Sequence, residues 1–241
     1  MESGMYKEMA ALEGSHWWFQ GRRAVVLDLL ARYAPKGRLL DIGLGTGFNA
    51  KLFKDHGYVV EGVEPAAEGI AFAKTIVPDL QVIQASFPSP AVFSDTYDVV
   101  ALLDVVEHFP DDMAALKDVA RVLKAGGVAV ITVPAFRFLW TPHDERAHHF
   151  RRYRKGELKR VLEKAGLEPI VLSYYNFFLF PLIALARIFG SFKKESGKSD
   201  FDKTPLFLNS ILAALFGSER FLLRVLSLPF GVSIVALVRK K

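Results

Sequence analysis

Short apolar runs alternate along this chain with longer stretches in which apolar residues recur every three or four positions. The short runs have the length of buried β-strands and predict strands at 38–42, 58–63, 80–84, 97–103, 128–133, 167–173 and 233–238. The longer stretches predict helices at 21–33, 48–56, 66–75, 111–124 and 155–165. Strands that alternate with helices are typical of βαβ units, so the pattern predicts an α/β fold with a doubly wound sheet.

The pattern changes near residue 174, where two runs dense in Phe and Leu, 174–189 and 205–217, flank a polar stretch at 190–203. Each run is shorter than the roughly 18 residues that a membrane-spanning helix needs, and each is interrupted by Asn, Pro or Arg. Neither run is therefore expected to cross a bilayer. The polar stretch between them is predicted to be a mobile loop.

The chain is predicted to have three parts. They are an N-terminal helical lid at 1–35, a core domain at 36–173 and 231–241, and a hydrophobic helical insertion at 174–230 that precedes the last strand. With 241 residues, of which 51% are hydrophobic, the chain is long enough to bury one large core.

The composition limits the chemistry. The chain has no cysteine, which excludes disulfides, a cysteine-ligated zinc site and thiol catalysis, and which fits a cytoplasmic protein. Residues 1–20 lack a basic segment followed by an apolar stretch, so no secretory signal is expected. A net charge of +5 would suit an anionic partner such as a phosphorylated substrate or a membrane surface, although such charge often serves only solubility.

A glycine-rich segment, LLDIGLGTG at 39–47, follows the first predicted strand and opens a predicted helix. Gly43, Gly45 and Gly47 would let the backbone approach a ligand closely and direct N–H groups at it, as nucleotide-binding turns do. The dinucleotide fingerprint needs glycine or alanine where this chain has Phe48, and the chain contains no P-loop sequence. The ligand is therefore expected to resemble a nucleoside without a polyphosphate.

Two carboxylates accompany this turn. Glu64 closes the second predicted strand, at a position from which a carboxylate can accept hydrogen bonds from both ribose hydroxyls, and Asp41 adds negative charge beside the glycines. Paired carboxylates suit a ligand that carries an ammonium and a sulfonium group, as S-adenosylmethionine does.

These motifs, together with YDVVALLDVVEH at 97–108 and LKAGGVAVITVPA at 123–135, resemble those of class I S-adenosylmethionine-dependent methyltransferases. HWWFQGRR at 16–23 and HHFRRYRKGEL at 148–158 resemble a bacterial subgroup similar to methyltransferase types 11 and 23. The resemblance implies a Rossmann-like, mostly parallel seven-stranded sheet with helices on both faces. Its last strand would be antiparallel and lie between strands five and six. The resemblance also implies S-adenosylmethionine as cofactor and S-adenosylhomocysteine as product.

The same resemblance assigns residues to the cofactor. The glycine turn would lie under the methionine part, Glu64 would bind the ribose, and Asp104 would line the cofactor beside the active site. The usual Gly-Asp pair at the adenine side is replaced by Gln84 and Ala85, so Ser86 or a backbone N–H is expected to serve there. The predicted set is Asp41, Gly43, Gly45, Gly47, Glu64, Pro65, Ala85, Ser86, Asp104 and Val105.

The HWWF segment has two interpretations. Two adjacent tryptophans often serve as a hydrophobic anchor for a helix. Alternatively, residues 16–23 cover the cofactor, with Trp18 against it and Arg23 paired with its methionine carboxylate.

Methyl transfer from a sulfonium is an in-line displacement, so positioning the two reactants supplies most of the acceleration. A hydroxyl acceptor would also need a general base, for which histidine is the usual choice at neutral pH. The candidates are His108, His143, His148 and His149. We predict His143 as the base, with Asp144 beside it in a loop above the methyl site, while packing or capping of that loop is the alternative. His108 is expected to shape the cofactor pocket.

Histidines and carboxylates in the segment 143–149 could also bind a metal ion. Their spacing lacks the helical pairing of a zinc motif, and methyl transfer needs no metal. No metal site is therefore predicted.

The segment LDVVEH stands where enzymes that methylate bases or amides often carry a Pro-Pro motif, so those acceptors are disfavoured. O-methylation of a small-molecule or lipid-like acceptor is favoured, with carbon methylation second. A nucleic-acid methyltransferase and a non-catalytic cofactor-binding protein are the rival hypotheses, and no nucleic-acid partner is expected.

Two further segments have alternative interpretations. The insertion 174–230 either packs as core or as a dimer interface, or makes peripheral contact with a membrane or a lipid-like acceptor. The basic segment RRYRK at 151–155 either begins a solvated helix or binds an anionic group of the substrate. The protein is expected to be a monomer or a homodimer.

Overall fold

A computed structural model describes residues 5–190 and 204–241 and contains one seven-stranded sheet. The strands are β1 Arg38–Ile42, β2 Val59–Val63, β3 Gln81–Ile83, β4 Tyr97–Leu103, β5 Leu123–Pro134, β6 Leu167–Tyr175 and β7 Ser233–Lys240. Their order is β3-β2-β1-β4-β5-β7-β6, and β7 is antiparallel to both of its neighbours while the other pairs are parallel. The predicted Rossmann-like sheet, with its antiparallel last strand between strands five and six, is confirmed.

The helices alternate with the strands as the sequence pattern predicted. They are α1 Met5–Leu12, α2 Trp17–Tyr33, α3 Phe48–Asp55, α4 Ala67–Ile76, α5 Asp112–Val122, α6 Pro142–Arg146, α7 Lys155–Lys164, α8 Phe180–Gly190 and α9 Leu206–Leu222. One-turn 3₁₀ helices follow β4 at Val106–His108 and β5 at Arg137–Leu139. Helix α2 begins four residues earlier than the predicted residue 21, so most of the HWWF segment lies in its first turn.

Helix α5 shows how local signals set an element's bounds. The Asp111 side chain accepts a hydrogen bond from the Ala114 N–H at 2.9 Å and caps the first turn. The prediction extended this helix to residue 124, which is wrong. The helix ends at Val122 because Leu123 pairs with Tyr97 and begins β5.

Helices cover both faces of the sheet, as predicted. Leu116 of α5 and Leu158 of α7 are buried in the hydrophobic core on one face. Leu30 of α2, Phe53 of α3 and Ala73 of α4 are buried in the core on the other. Because β1, β2, β4 and β5 are parallel, their carboxyl ends meet at one edge of the sheet. Open α/β sheets bind ligands at this edge.

The connection from β6 to β7 contains the predicted hydrophobic helices. Strand β6 runs through Tyr175, so this connection begins two residues later than the predicted residue 174. Phe216 of α9 packs in one buried cluster with Val25 and Leu29 of α2. The predicted loop at 190–203 lies outside the described residues except for Gly190, which ends α8. None of the helices in the described ranges combines the length and the apolar character needed to cross a bilayer.

A buried carboxyl group of α9 caps the start of this connection. Glu219 is fully buried, and its Oε1 accepts hydrogen bonds from the backbone N–H groups of Phe177 at 2.7 Å and Phe178 at 3.0 Å. Burial raises the pKa of Glu219 to about 7, although these N–H groups act in the opposite direction. The folded protein therefore holds this carboxyl protonated at pH values at which the unfolded chain has released the proton.

We predict that Glu219→Gln makes folding less sensitive to pH. A carboxyl whose pKa is raised from 4.5 to about 7 stabilises the fold least above pH 7, so stability falls as pH rises through this window. The amide keeps an acceptor oxygen without ionising. Between pH 4.5 and 7, the free energy of unfolding of the variant should therefore rise by on the order of 3 kcal/mol relative to that of the wild type. Urea unfolding at several pH values measures this gain, with exposed Glu168→Gln as control. Parallel pH profiles for the wild type and Glu219→Gln would contradict the prediction.

Candidate functional site

A cavity of about 760 Å³ opens at the carboxyl edge of the sheet. Gly43 after β1, Glu64 after β2, Asp104 after β4 and Pro134 at the end of β5 contribute to its wall. Helices α1, α2 and α8 close its other sides. Its size lies within the range of small-molecule and cofactor sites, about 300 to 1,000 Å³.

The turn after β1 has glycine at three positions because of its backbone conformation and its close packing. Gly43, Gly45 and Gly47 have φ values of +70°, +58° and +87°, a left-handed conformation that favours glycine. A Cβ at Gly43 would lie 2.6 Å from Val105 Cγ2, and one at Gly47 would lie 2.7 Å from Ala73 Cα. At Gly45 the nearest side-chain atom in the described ranges would be Met9 Cε at 3.8 Å. Two of the glycines thus allow close packing, and Gly45 leaves space at the cavity.

Glu64 faces this open backbone from the end of β2. The residue is buried, and its Oε2 accepts a hydrogen bond from the Gly45 N–H at 3.0 Å. Its Oε1 accepts from the Tyr6 hydroxyl at 2.9 Å and from the Ala66 N–H at 3.0 Å. Burial and the adjacent carboxylate both raise the pKa of Tyr6, so the phenol remains a donor. Glu64 is thus positioned to accept hydrogen bonds from hydroxyl groups in the cavity.

Asp41 lies behind the cavity wall and is not among the residues that line it. Burial raises the pKa of Asp41 well above its usual value, and Arg22 only partly offsets this effect. Among the residues described, none forms a hydrogen bond to its Oδ2. A nearby carboxylate, Glu13 of the turn after α1, does line the cavity and accepts a hydrogen bond from the Thr46 hydroxyl.

The two neighbouring arginines of α2 have different positions. Arg23, predicted to pair with a cofactor carboxylate, donates instead to the backbone carbonyl oxygen of Glu13 and does not line the cavity. Arg22 is buried in the cavity wall, and its Nη1 lies 2.5 Å from Asp104 Oδ2. Asp104 has a φ of +59°, a strained conformation of the kind that clusters at functional sites.

The remaining residues predicted for the cofactor reach the cavity. Trp18 lines it from α2, and Val105 lines it beside Asp104. Pro65, Ala85 and Ser86 form part of the wall beyond β2 and β3. Their binding roles remain predictions, because the structure shows only that these residues share one cavity.

Three of the four candidate histidines line the cavity, whereas His148 is exposed. The ring centroids of His108 and His149 are 4.6 Å apart, and those of His143 and His149 are 6.2 Å apart. Burial, followed by the proximity of His149, lowers the pKa of His108 to about 4. His108 is therefore a neutral imidazole near physiological pH.

Asp144 does not line the cavity, which corrects its predicted place beside a catalytic His143. Its fully buried carboxylate accepts two hydrogen bonds from Arg152, from Nε at 2.8 Å and from Nη2 at 2.7 Å. It also accepts one from the Thr141 N–H at 2.7 Å, and its Oδ1 lies 2.8 Å from His149 Nδ1. Although burial alone would raise its pKa, the bonds from His149 and Arg152 hold it well below the usual range. Asp144 thus anchors the loop above the cavity.

Several residues of the site were missed by the sequence analysis. Arg152 of the basic segment RRYRK was predicted to be solvated or to bind an anionic group of the substrate, but its guanidinium binds the Asp144 carboxylate of the protein itself. Glu107 lies in the quoted segment LDVVEH but was given no role, and it is fully buried in the cavity wall. Tyr6 and Glu13 had no sequence signal, since their contacts depend on how α1 folds over the glycine turn.

Comparison with known proteins agrees with this geometry. A family model described as a methyltransferase domain matches residues 17–172, which is more than half of the chain. A probable S-adenosylmethionine-dependent methyltransferase of Mycolicibacterium smegmatis is 27% identical over 165 residues, which cover 67% of this chain and 63% of that protein. The match thus spans less than two thirds of that relative's length.

Two relatives carry more specific names. A 2-methyl-6-phytyl-1,4-hydroquinone methyltransferase of Synechocystis is 27% identical over 54% of this chain and 40% of that protein. A ubiquinone biosynthesis O-methyltransferase of Dinoroseobacter shibae is 30% identical over 59% of this chain and 65% of that protein.

The fold is also found in solved structures. A methyltransferase from Thermotoga maritima matches with a TM-score of 0.59 and 20% identity over 93% of each chain, a likeness that concerns the fold alone. The family match, the sheet order and the glycine turn that faces an acidic residue at the strand ends lead to the same assignment. The chain belongs to the family of methyltransferase domains.

Proposed function

We propose that this protein is an S-adenosylmethionine-dependent methyltransferase that acts on a small-molecule, lipid-like acceptor and releases S-adenosylhomocysteine. The observation that carries the proposal is the open backbone at Gly45 opposite the buried Glu64, inside a cavity at the carboxyl edge of the sheet. The names of the relatives support the same activity. When bound, the cofactor supplies an electrophilic methyl group.

The residues in the cavity fit this cofactor. The Tyr6 hydroxyl already donates to Glu64, and a ribose hydroxyl is the same kind of donor. Glu13 and Glu64 are acidic side chains in the wall, which suits a ligand with ammonium and sulfonium groups. Glycine at position 45 would leave room for the ligand, because a side chain there would project into the space that the ligand would occupy.

The acceptor is proposed to occupy the part of the cavity that His143 and α8 line. Ile183, Ala186 and Arg187 of α8 contribute to the cavity wall, so the acceptor would meet apolar side chains and the Arg187 guanidinium there. His143 is proposed as the general base for a hydroxyl acceptor, while enclosure between α2 and α8 excludes water and positions the acceptor.

Quinone-related acceptors are favoured because two of the relatives are named for hydroquinone or ubiquinone chemistry. A hydroquinone offers both hydroxyl groups and ring carbons. O-methylation is the first candidate, and carbon methylation is the second.

The outer face of α9 supports a membrane-associated acceptor. Asn209, Phe216 and Glu219 form the buried stripe of this helix. Phe207, Leu208, Ile211 and Leu215 form a second apolar stripe that is exposed. A helix that is apolar on both faces is normally covered on both. We propose that this face docks on a lipid surface, and the net charge of +5 on the whole chain favours anionic lipids.

We predict that Gly45→Ala and Gly47→Ala separate cofactor binding from folding. Alanine at Gly45 adds about 1–2 kcal/mol of backbone strain and projects a methyl group at the ligand. Affinity for S-adenosylhomocysteine should fall at least about tenfold. Alanine at Gly47 would overlap the Ala73 backbone and should lower the melting temperature more than alanine at Gly45 does. Calorimetry and thermal unfolding measure the two effects, and full affinity in Gly45→Ala would contradict the proposed cofactor site.

We predict that His143→Ala lowers methyl transfer to a hydroquinone by about 10² to 10⁴ fold, because a general base supplies that range. Affinity for S-adenosylhomocysteine should be retained. Transfer of label from the methyl donor measures turnover, and exposed His56→Ala is the control. Unchanged turnover would remove His143 from the mechanism. A protein that binds the donor but methylates none of a panel of hydroquinones, catechols and RNA would instead support a non-catalytic function.

We predict that Leu206→Glu with Phe207→Glu lowers co-sedimentation with anionic phospholipid vesicles about tenfold or more. These residues are 84% and 80% exposed, so the change should not disturb the core, whereas deleting the insertion would remove the buried Phe216. Phe93→Glu, at a site that is 75% exposed on the connection between β3 and β4, is the matched control. An equal loss of vesicle binding in Leu206→Glu with Phe207→Glu and in Phe93→Glu would refute docking by α9. If the double variant instead lost the ability to form a dimer, the face would be a subunit interface.

A further inference from the structure

Three cavity-lining side chains converge from two separate segments. Glu107 and His108 lie in the 3₁₀ turn after β4, and His149 lies in the loop after α6. Each offers one ligand atom, and these atoms lie within 4.8 Å of one another. His149 Nε2 is 3.9 Å from Glu107 Oε1, so the two groups face each other without a direct hydrogen bond.

The Glu107 carboxylate lacks the partners that its neighbours have. Arg22 pairs with Asp104, and Arg152 pairs with Asp144. Glu107 is fully buried, yet neither of its oxygens has a hydrogen-bond partner among the described residues. A buried carboxylate without a partner is costly, and a bound cation would remove that cost.

The His149 imidazole is oriented as a metal ligand is. His149 Nδ1 lies 2.8 Å from Asp144 Oδ1, and an ionised carboxylate only accepts, so Nδ1 carries a proton. In the neutral imidazole the lone pair is then on Nε2, the nitrogen that faces Glu107. His108 contributes one ring nitrogen to the same cluster of ligand atoms. A histidine whose second nitrogen donates to a carboxylate or carbonyl is the usual arrangement around protein-bound metals.

We propose that Glu107, His108 and His149 bind a divalent first-row transition metal ion, with Zn²⁺ as the best match to the donor set. Two imidazoles and one carboxylate suit Zn²⁺ or Fe²⁺ and leave a coordination position open to the cavity. Mg²⁺ and Ca²⁺ prefer oxygen ligands and fit less well. This site takes only His149 from the segment 143–149, in which no metal site was predicted.

The open position faces the cavity that also contains His143 and Asp104. A hydroxyl oxygen of the acceptor is the expected ligand there, an extension that rests on the proposed function. Binding of the metal itself does not rest on it.

The test is calorimetric titration of Zn²⁺ into protein freed of metal with a chelator, in the absence of cofactor and acceptor. The wild type should bind one ion per chain, and Glu107→Gln and His108→Ala should each weaken binding at least about tenfold. His148→Asn is the matched control, since this adjacent histidine is exposed and asparagine tolerates its φ of +57°. Failure of the wild type to saturate at one ion, or equal affinity in Glu107→Gln and wild type, would overturn the proposal.

A second measurement uses the wild type only, in case a variant fails to fold. In nitrogen NMR spectra of the histidine rings, Zn²⁺ should shift Nε2 of His149 and leave Nδ1 bonded to Asp144. Loss of the proton on Nδ1, or no change at His149, would refute the site. Zinc binding without methyl transfer would leave the metal site standing while the proposed function failed.

Discussion

The constraint on which this site depends is the need to compensate carboxylates that the fold removes from water. Asp41, Glu64, Glu107 and Asp144 are all buried at or behind the carboxyl edge of the sheet. Each buried carboxylate costs several kcal/mol unless cations or hydrogen-bond donors approach it. Glu64 and Asp144 have such partners, and the segments that supply them are held against the sheet and help to form the walls of the cavity.

This constraint links distant parts of the chain. Arg22 ties α2 to the end of β4 through Asp104, and Arg152 ties the entry of α7 to the loop after β5 through Asp144. Tyr6 brings α1 to the end of β2 through Glu64. The N-terminal helices and the loop above the cavity are thus positioned by polar contacts to strand ends, in addition to the apolar packing of α2 on α9.

Sequence reasoning worked where the deciding interactions are local. Strand runs, helix periods and the glycine turn are encoded within a few residues, so the sheet and the position of Gly45 opposite Glu64 were predictable. Contacts between segments were not. Arg22 and Arg23 are adjacent in sequence but point about 100° apart on a helix, and only the packing of α2 determines which one reaches the cavity. Asp144 was misplaced for a similar reason, because its main partner, Arg152, lies on another segment.

The place of β7 in the sheet has a consequence for how the protein folds. This strand follows all the others in the chain, yet it lies between β5 and β6 and pairs with both along most of its length. A growing chain cannot close its sheet until α8, α9 and β7 have left the ribosome. Until then, the edges of β5 and β6 that β7 pairs with lack this partner, and unpaired strand edges favour aggregation.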